Sequence, residues 1–197
     1  MLSMGRPRGF DIDEVLDAAM RVFWRKGYEG ASYADLTVAA GVERPALYSA
    51  FGNKEALFRA ALDRYTEYYQ DYIPEALELS TARDVASHIL RRAADLNTRY
   101  PDHPGCLSIN GALAASDDAE PVRRALIDVR ADGEAQLRER FERAKAEGDL
   151  PASADTGALT AFVMAVLHGM AVQAKSGFSR ARLESVVEQA LLVFPAG

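Results

Sequence analysis

Arg44, Tyr48, Ser49 and Lys54 lie close together in the stretch GVERPALYSAFGNKEAL, residues 41–57. Their shared chemistry is hydrogen-bond donation to anions and to flat acceptor edges. A guanidinium can bridge the O6 and N7 of guanine, and the carbons of Pro45 and Ala46 can meet a thymine methyl group. A phenol and an ammonium suit phosphate oxygens, which set position more than sequence. Lys54 also stands where a helix begins, and free backbone N–H groups there favour a phosphate.

These side chains need a scaffold that turns them outward. Ser32 opens a short helix with Asp35 three residues on, an imperfect capping box. Gly41 ends that helix and supplies the positive φ of a tight turn. A second short helix spans roughly 44–50, with Pro45 in the first turn, where a missing N–H costs little. Leu47 and Phe51 face inward with Leu36 and Phe23. Arg44, Pro45, Ala46, Tyr48 and Ser49 are left outside. An ordinary helical hairpin in a core would share the geometry, but not the outward Arg44 and Tyr48 beside Lys54.

The segment GYEGASYADLTVAAGVERPALYSAFGNKEALFRAAL, within residues 10–62, resembles the DNA-binding domain of the TetR family of bacterial transcription regulators. The AAGV turn, the Leu47-Tyr48 pair, Phe51 and the NKEAL helix start fall in register. The resemblance implies that Tyr48 and Lys54 hold phosphates and that Arg44, Ala46 and Ser49 face bases. Tyr33 would approach the DNA backbone. Glu43 and Ala50 depart from the usual pattern. Glu43 brings a negative charge, which can cap the helix or read a cytosine amino group. Ala50 removes one possible phosphate contact. Arg6 and Arg8, ahead of the first helix, form either a basic arm or a solvated tail.

The rest of the chain also reads as helix, giving an all-α fold of about nine helices. The first carries the stripe Ile12, Val15, Leu16, Ala19, Met20 and Phe23, and Gly27 stops it. A long fourth helix is expected from Asn53 to Leu79, and others over 81–100, 106–116, 120–148, 155–176 and 179–194. This divides the chain into a helix-turn-helix DNA-binding domain, 1–55, and an effector-binding and dimerisation domain, 56–197. The last two helices carry more apolar surface than one partner helix can cover. A two-fold homodimer would bury the excess, with Ala165, Gly169, Val187 and Leu191 at the interface. Two heads one helical turn apart, about 34–36 Å, would suit a palindromic operator in double-stranded DNA.

An effector cavity is expected within the body. Small-molecule sites are apolar pockets with a few polar anchors, and Tyr69, His88, Cys106, Asn110, Phe162 and His168 are the candidate contacts. The stretches PGCLSINGALAA and LHGMAVQAKSG resemble one TetR subgroup with a Gly-Cys-Leu segment. That resemblance implies a possible sensor of electrophiles or oxidants at Cys106. A helix N-terminus lowers a thiol pKa, although free cysteine is commonly buried and inert.

Composition bounds the alternatives. The net charge of −6 lies wholly in residues 61–197, which hold 15 Lys/Arg and 21 Asp/Glu, whereas residues 1–60 hold 8 of each. A neutral head on an acidic body can bind DNA if its cations converge on one face. The single cysteine excludes an internal disulfide or a cysteine zinc site, and no metal or other cofactor is expected. No apolar run of the roughly 18 residues needed for a membrane span is evident, nor is a signal peptide, so a cytoplasmic location is expected. An enzyme would have His88, His103 or His168 for acid–base work, but no HExxH, GxSxG, P-loop or dinucleotide fingerprint is present. A dimeric binding protein without DNA recognition has only Glu43, Ala50 and the acidic total in its favour. The reading that unites these features is a DNA-binding regulator, most simply a repressor released by a small, largely apolar molecule.

Overall fold

Capping residues fix where the helices start. In the computed structural model, which describes residues 10–110 and 116–195, Asp11 accepts from the amides of Asp13 and Glu14 to begin α1, Ile12–Gly30. Ser32 and Asp35 cap each other's backbone amides at 3.1 and 3.0 Å, completing the capping box of α2, Tyr33–Ala40. Gly41 takes left-handed geometry (φ 63°, ψ 26°), and α3 follows as Arg44–Phe51 with Pro45 in its first turn. Asn53 caps α4, Lys54–Tyr69, by accepting from the Ala56 amide at 2.8 Å.

The body contains α5 (Tyr72–Leu77), α6 (Ala82–Arg99), α7 (Leu107–Asn110), α8 (Glu120–Ala146), α9 (Thr156–Lys175) and α10 (Arg180–Ala190). Two short 3-10 turns, Asp117–Ala119 and Leu191–Val193, complete the described residues, which hold ten α-helices and no strand. α1 packs on α2 and α4, while α6 lies against α5, α9 and α10, and α8 covers α9. A continuous core joins head and body, with Phe23, Trp24, Phe58 and Tyr65 fully buried near the junction.

Three sequence expectations need correction, and two others fall on residues outside those described. The helix expected over 53–79 breaks after Tyr69, and α5 begins at Tyr72. Pro74 is the reason: inside a continuous helix it would remove a bond to Gln70 and clash with that carbonyl, whereas early in α5 its missing N–H is harmless. Gly27 bends the first helix rather than ending it; its φ of 72° and ψ of 176° interrupt the spiral, which resumes to Gly30. Of the helix expected over 106–116, only Leu107–Asn110 is described; Arg6 and Arg8 also lie outside the described residues. Finally, α9 is long and apolar enough by length and composition to cross a membrane. Here its apolar character serves packing on α6, α8 and α10, with an uncovered face left over.

Candidate nucleic-acid interface and internal cavity

Leu36 and Leu47 are buried between α2 and α3, and Phe23 meets Phe58 edge-on at 5.1 Å behind them. With that interior filled, Arg44, Pro45 and Ser49 are exposed and Ala46 is half-buried on one edge of α3. The Arg44 guanidinium stacks over the Tyr33 ring at 4.1 Å and the Tyr48 ring at 5.3 Å, and donates to the Tyr48 hydroxyl at 3.1 Å. Hydrogen bonds from Tyr33 and Arg44 pull the Tyr48 pKa below its ordinary value. Burial, followed by the bond to Tyr48, raises that of Tyr33. Arg44 is thus held in place by aromatic faces while most of its donors point to solvent.

Lys54 begins α4 directly after its cap, and its ammonium sits 4.6 Å over the Tyr28 ring. Partial burial lowers its pKa, opposed by Glu29. The arrangement fixes a cation beside the free amides of a helix N-terminus. Glu43 occupies the cap position of α3 without a capping bond, so the capping role expected of its side chain is not observed. Lys26 pairs with Asp35 at 2.6 Å, tying α1 to α2. One feature had no signal in the sequence: Val38 on α2 is 81% exposed, an apolar side chain standing free on the helix that precedes α3.

The body encloses a cavity of about 60 Å³ between α4, α5, α6, α7, α8 and α9. Cys106 and His168, both expected at an effector site, line it. Cys106 is buried, with its Sγ 3.0 Å from the Ser108 hydroxyl and 3.3 Å from that of Tyr65. The other four candidates lie elsewhere. Tyr69 packs edge-on against Trp24 at 5.1 Å. His88 is half-buried on α6, 3.9 Å from Glu75 of α5. Asn110 donates to the carbonyls of Trp24 at 3.1 Å and Pro104 at 3.3 Å. Phe162 is on the uncovered face of α9. Sequence reasoning passed over Asn97 and Arg130, which the fold brings to the cavity from two different helices.

The uncovered face of α9 carries Phe162, Ala165, Gly169 and Val172, spaced alternately by three and four residues, with Val186, Leu192 and Val193 exposed alongside. Val187 and Leu191, expected on the same face, are buried within the protomer. Among the described residues no three potential metal ligands converge.

Head and body are tied by polar bonds. The Trp24 indole N–H donates to the Gly105 carbonyl at 2.7 Å, one residue from the cavity cysteine. Lys175, at the end of α9, donates to the Arg25 carbonyl at 2.6 Å. Arg64 of α4 pairs with Asp13 at 3.0 Å and with Asp17 of α1.

Comparison with known proteins bears on both halves. The family model for "Bacterial regulatory proteins, tetR family" matches residues 15–61, and that for "Tetracyclin repressor-like, C-terminal domain" matches residues 86–190. The HTH-type transcriptional repressor ComR of Escherichia coli is 33% identical over 195 residues, covering 98% of this chain and 93% of that protein. A cysteine mutant of the TetR family transcriptional regulator CifR, solved with 26-base-pair double-strand operator DNA, superimposes with a TM-score of 0.91 at 43% identity, covering 96% of this chain and all of that one. A putative TetR transcriptional regulator from Rhodococcus is 38% identical, with a TM-score of 0.64 over 95% of this chain and 100% of the other.

Proposed function

The chain belongs to the TetR family of bacterial transcriptional regulators, and on that premise we propose that it is a ligand-responsive repressor. Family membership sets aside the enzyme alternative. The head, residues 1–55, reads one half of a palindromic operator in the cytoplasm; the body, 56–197, pairs two copies and takes up the effector.

The observation that carries this reading is the exposed Arg44–Ser49 edge, with Arg44 braced by Tyr33 and Tyr48. Arg44 can take a guanine, while Tyr33, Tyr48 and Lys54 take phosphates. The operator complex of CifR and the repressor ComR support it by likeness. Pairing through the Phe162–Val172 stripe follows from its alternating spacing, which suits a shallow left-handed helix crossing. A ligand that binds better to a dimer with the wrong head spacing lowers DNA affinity by linkage.

Fluorescence anisotropy on DNA from upstream of the chain's own coding sequence tests this, with salt titration and unrelated competitor DNA. Saturable, sequence-preferring binding by a dimer is expected. Equal affinity for every duplex would count against it. Val172→Glu, which places a charge in the stripe, should yield monomers in sedimentation and weaken operator binding more than tenfold.

A second reading rests on Cys106, whose thiol lies on the cavity wall between Tyr65 and Ser108. In it, an activated alkene entering the cavity adds to the sulfur, the S–C bond replacing the alkene π bond and the thiol proton ending on the adjacent carbon, and the adduct releases the operator. Intact-protein mass spectrometry beside the anisotropy assay separates the two, since a reversible effector leaves the mass unchanged.

A further inference from the structure

The cavity has both apolar and polar residues in its lining. Ile73, Leu96, Val129, Met164 and Leu167 supply the apolar wall. The same lining includes side chains whose hydrogen-bonding capacity is not used among the described residues. Asn97 is 2% exposed and Tyr72 4%, yet neither the amide nor the hydroxyl has a hydrogen-bond partner among the described residues. Both residues line the cavity. The His168 imidazole lines the same space, also without a hydrogen bond among the described residues. Buried polar groups are normally paired, with protein, water or ligand. Two unpaired ones on a single cavity, each more than nine-tenths buried, mark a place built for something polar.

Arg130 decides the sign of the charge. Its guanidinium is half-buried on the cavity wall and spends one donor on the Ser108 carbonyl at 3.1 Å. Among the described residues it forms no ion pair, and an arginine stays protonated. A desolvated cation is costly unless an anion joins it, and planar guanidinium matches a carboxylate through two parallel bonds. Burial and the Arg130 charge keep His168 below its ordinary pKa, so the imidazole is neutral and does not compete for that anion. Size bounds the tail. At one water-sized sphere per roughly 10–15 Å³, the 60 Å³ cavity holds about four to six non-hydrogen atoms.

Building on the reading of this cavity as the effector site, we infer that it takes a small aliphatic monocarboxylate, with Arg130, Asn97 and Tyr72 on its carboxylate and the Ile73–Leu167 wall on its alkyl end. Both carboxylate oxygens then have donors, and the desolvated guanidinium has its counter-ion.

Isothermal titration of the full-length protein tests this with three four-carbon probes: sodium butyrate, butyramide and butylammonium chloride. Butyrate is expected to bind at least tenfold more tightly than butyramide, and butylammonium more weakly still. Arg130→Met should erase the difference between butyrate and butyramide, while Arg130→Lys should keep most of it. Asn97→Leu should weaken butyrate by fivefold or more. Circular dichroism melting confirms that each variant is folded, and Arg130→Lys decides the matter if Arg130→Met is not. Butyramide binding as tightly as butyrate, an unchanged preference in a folded Arg130→Met protein, or no detectable butyrate binding at about 10 mM, a free energy weaker than about −2.7 kcal/mol, would overturn the inference. Operator anisotropy on the same samples keeps the failures apart. Intact operator binding with no carboxylate preference removes the ligand class and leaves the regulator standing, whereas loss of sequence-preferring DNA binding removes the regulator itself.

Discussion

The guanidinium of Arg44, on the second helix of the reading pair, lies 4.1 Å above the ring of Tyr33 on the first. The contact spans the turn at Gly41, so the reach of one helix is set by the other. Tyr48 closes the other side, 3.1 Å from the same guanidinium. An arginine held this way loses less rotamer freedom when it meets a base edge.

Tyr33→Ala should therefore weaken specific binding without removing any base contact. A cation–π contact of this exposure is worth about 0.5–1 kcal/mol, so a loss of roughly two- to fivefold is expected. Arg44→Ala should cost about 1–3 kcal/mol and relax the preference at one base pair. Competition anisotropy with single-base operator variants reads both effects.

Lys54 acts differently. As a phosphate contact it should contribute to every duplex alike. Lys54→Gln is expected to lower operator and non-operator affinity by similar factors and to reduce the slope of log affinity against log salt by about 1 per subunit. A base-dependent loss would place Lys54 in a groove instead.

Gly105 is required by its surroundings. Its φ is +87°, and a Cβ added there would lie 2.9 Å from the Ala171 carbonyl oxygen. Gly148 has nearly the same φ, +85°, but open space around the added carbon. Alanine at either position carries backbone strain of about 1–3 kcal/mol. Only Gly105→Ala also forces α9 away from the loop. It should melt several degrees below Gly148→Ala, at about 2–4 °C per kcal/mol for a chain of this size.

Acid should destabilise the body through His168. Its pKa is lowered by burial first and by Arg130 second. A histidine with a depressed folded-state pKa binds more protons unfolded than folded once pH drops below the unfolded value of about 6.5. Stability is then lost as pH falls from there toward the folded pKa, at up to about 1.4 kcal/mol per pH unit for this group. His168→Gln should flatten the fall in melting temperature between pH 7 and pH 5.5. His103, whose pKa burial and Arg21 also lower, contributes in the same direction and leaves a residual slope.

The head was legible in sequence because its determinants are local. Ser32 with Asp35, Gly41, Pro45 and Asn53 each specify geometry within four residues, and the outward set follows from helical spacing. The body was less legible for the opposite reason. Its cavity gathers Tyr72, Asn97, Cys106, Arg130 and His168 from separate helices, and no spacing rule links them. Asn110 has the composition of a ligand contact but spends its amide on Trp24 and Pro104. The excess apolar surface of the last two helices was readable as a total. Which residues would be uncovered was not, since the packing of α10 on α6 and α9 turns Val187 and Leu191 inward. The break at Gln70–Asp71 had a signal in Pro74, masked by the strong periodicity on either side.

The bond from the Trp24 indole to the Gly105 carbonyl makes the two halves of this protein poor building blocks for exchange. A chimaera that borrows a foreign head must bring a tryptophan and the Gly105–Asn110 loop as a matched set. Grafts cut at the α3–α4 turn would lose this bond and should melt below the parent protein.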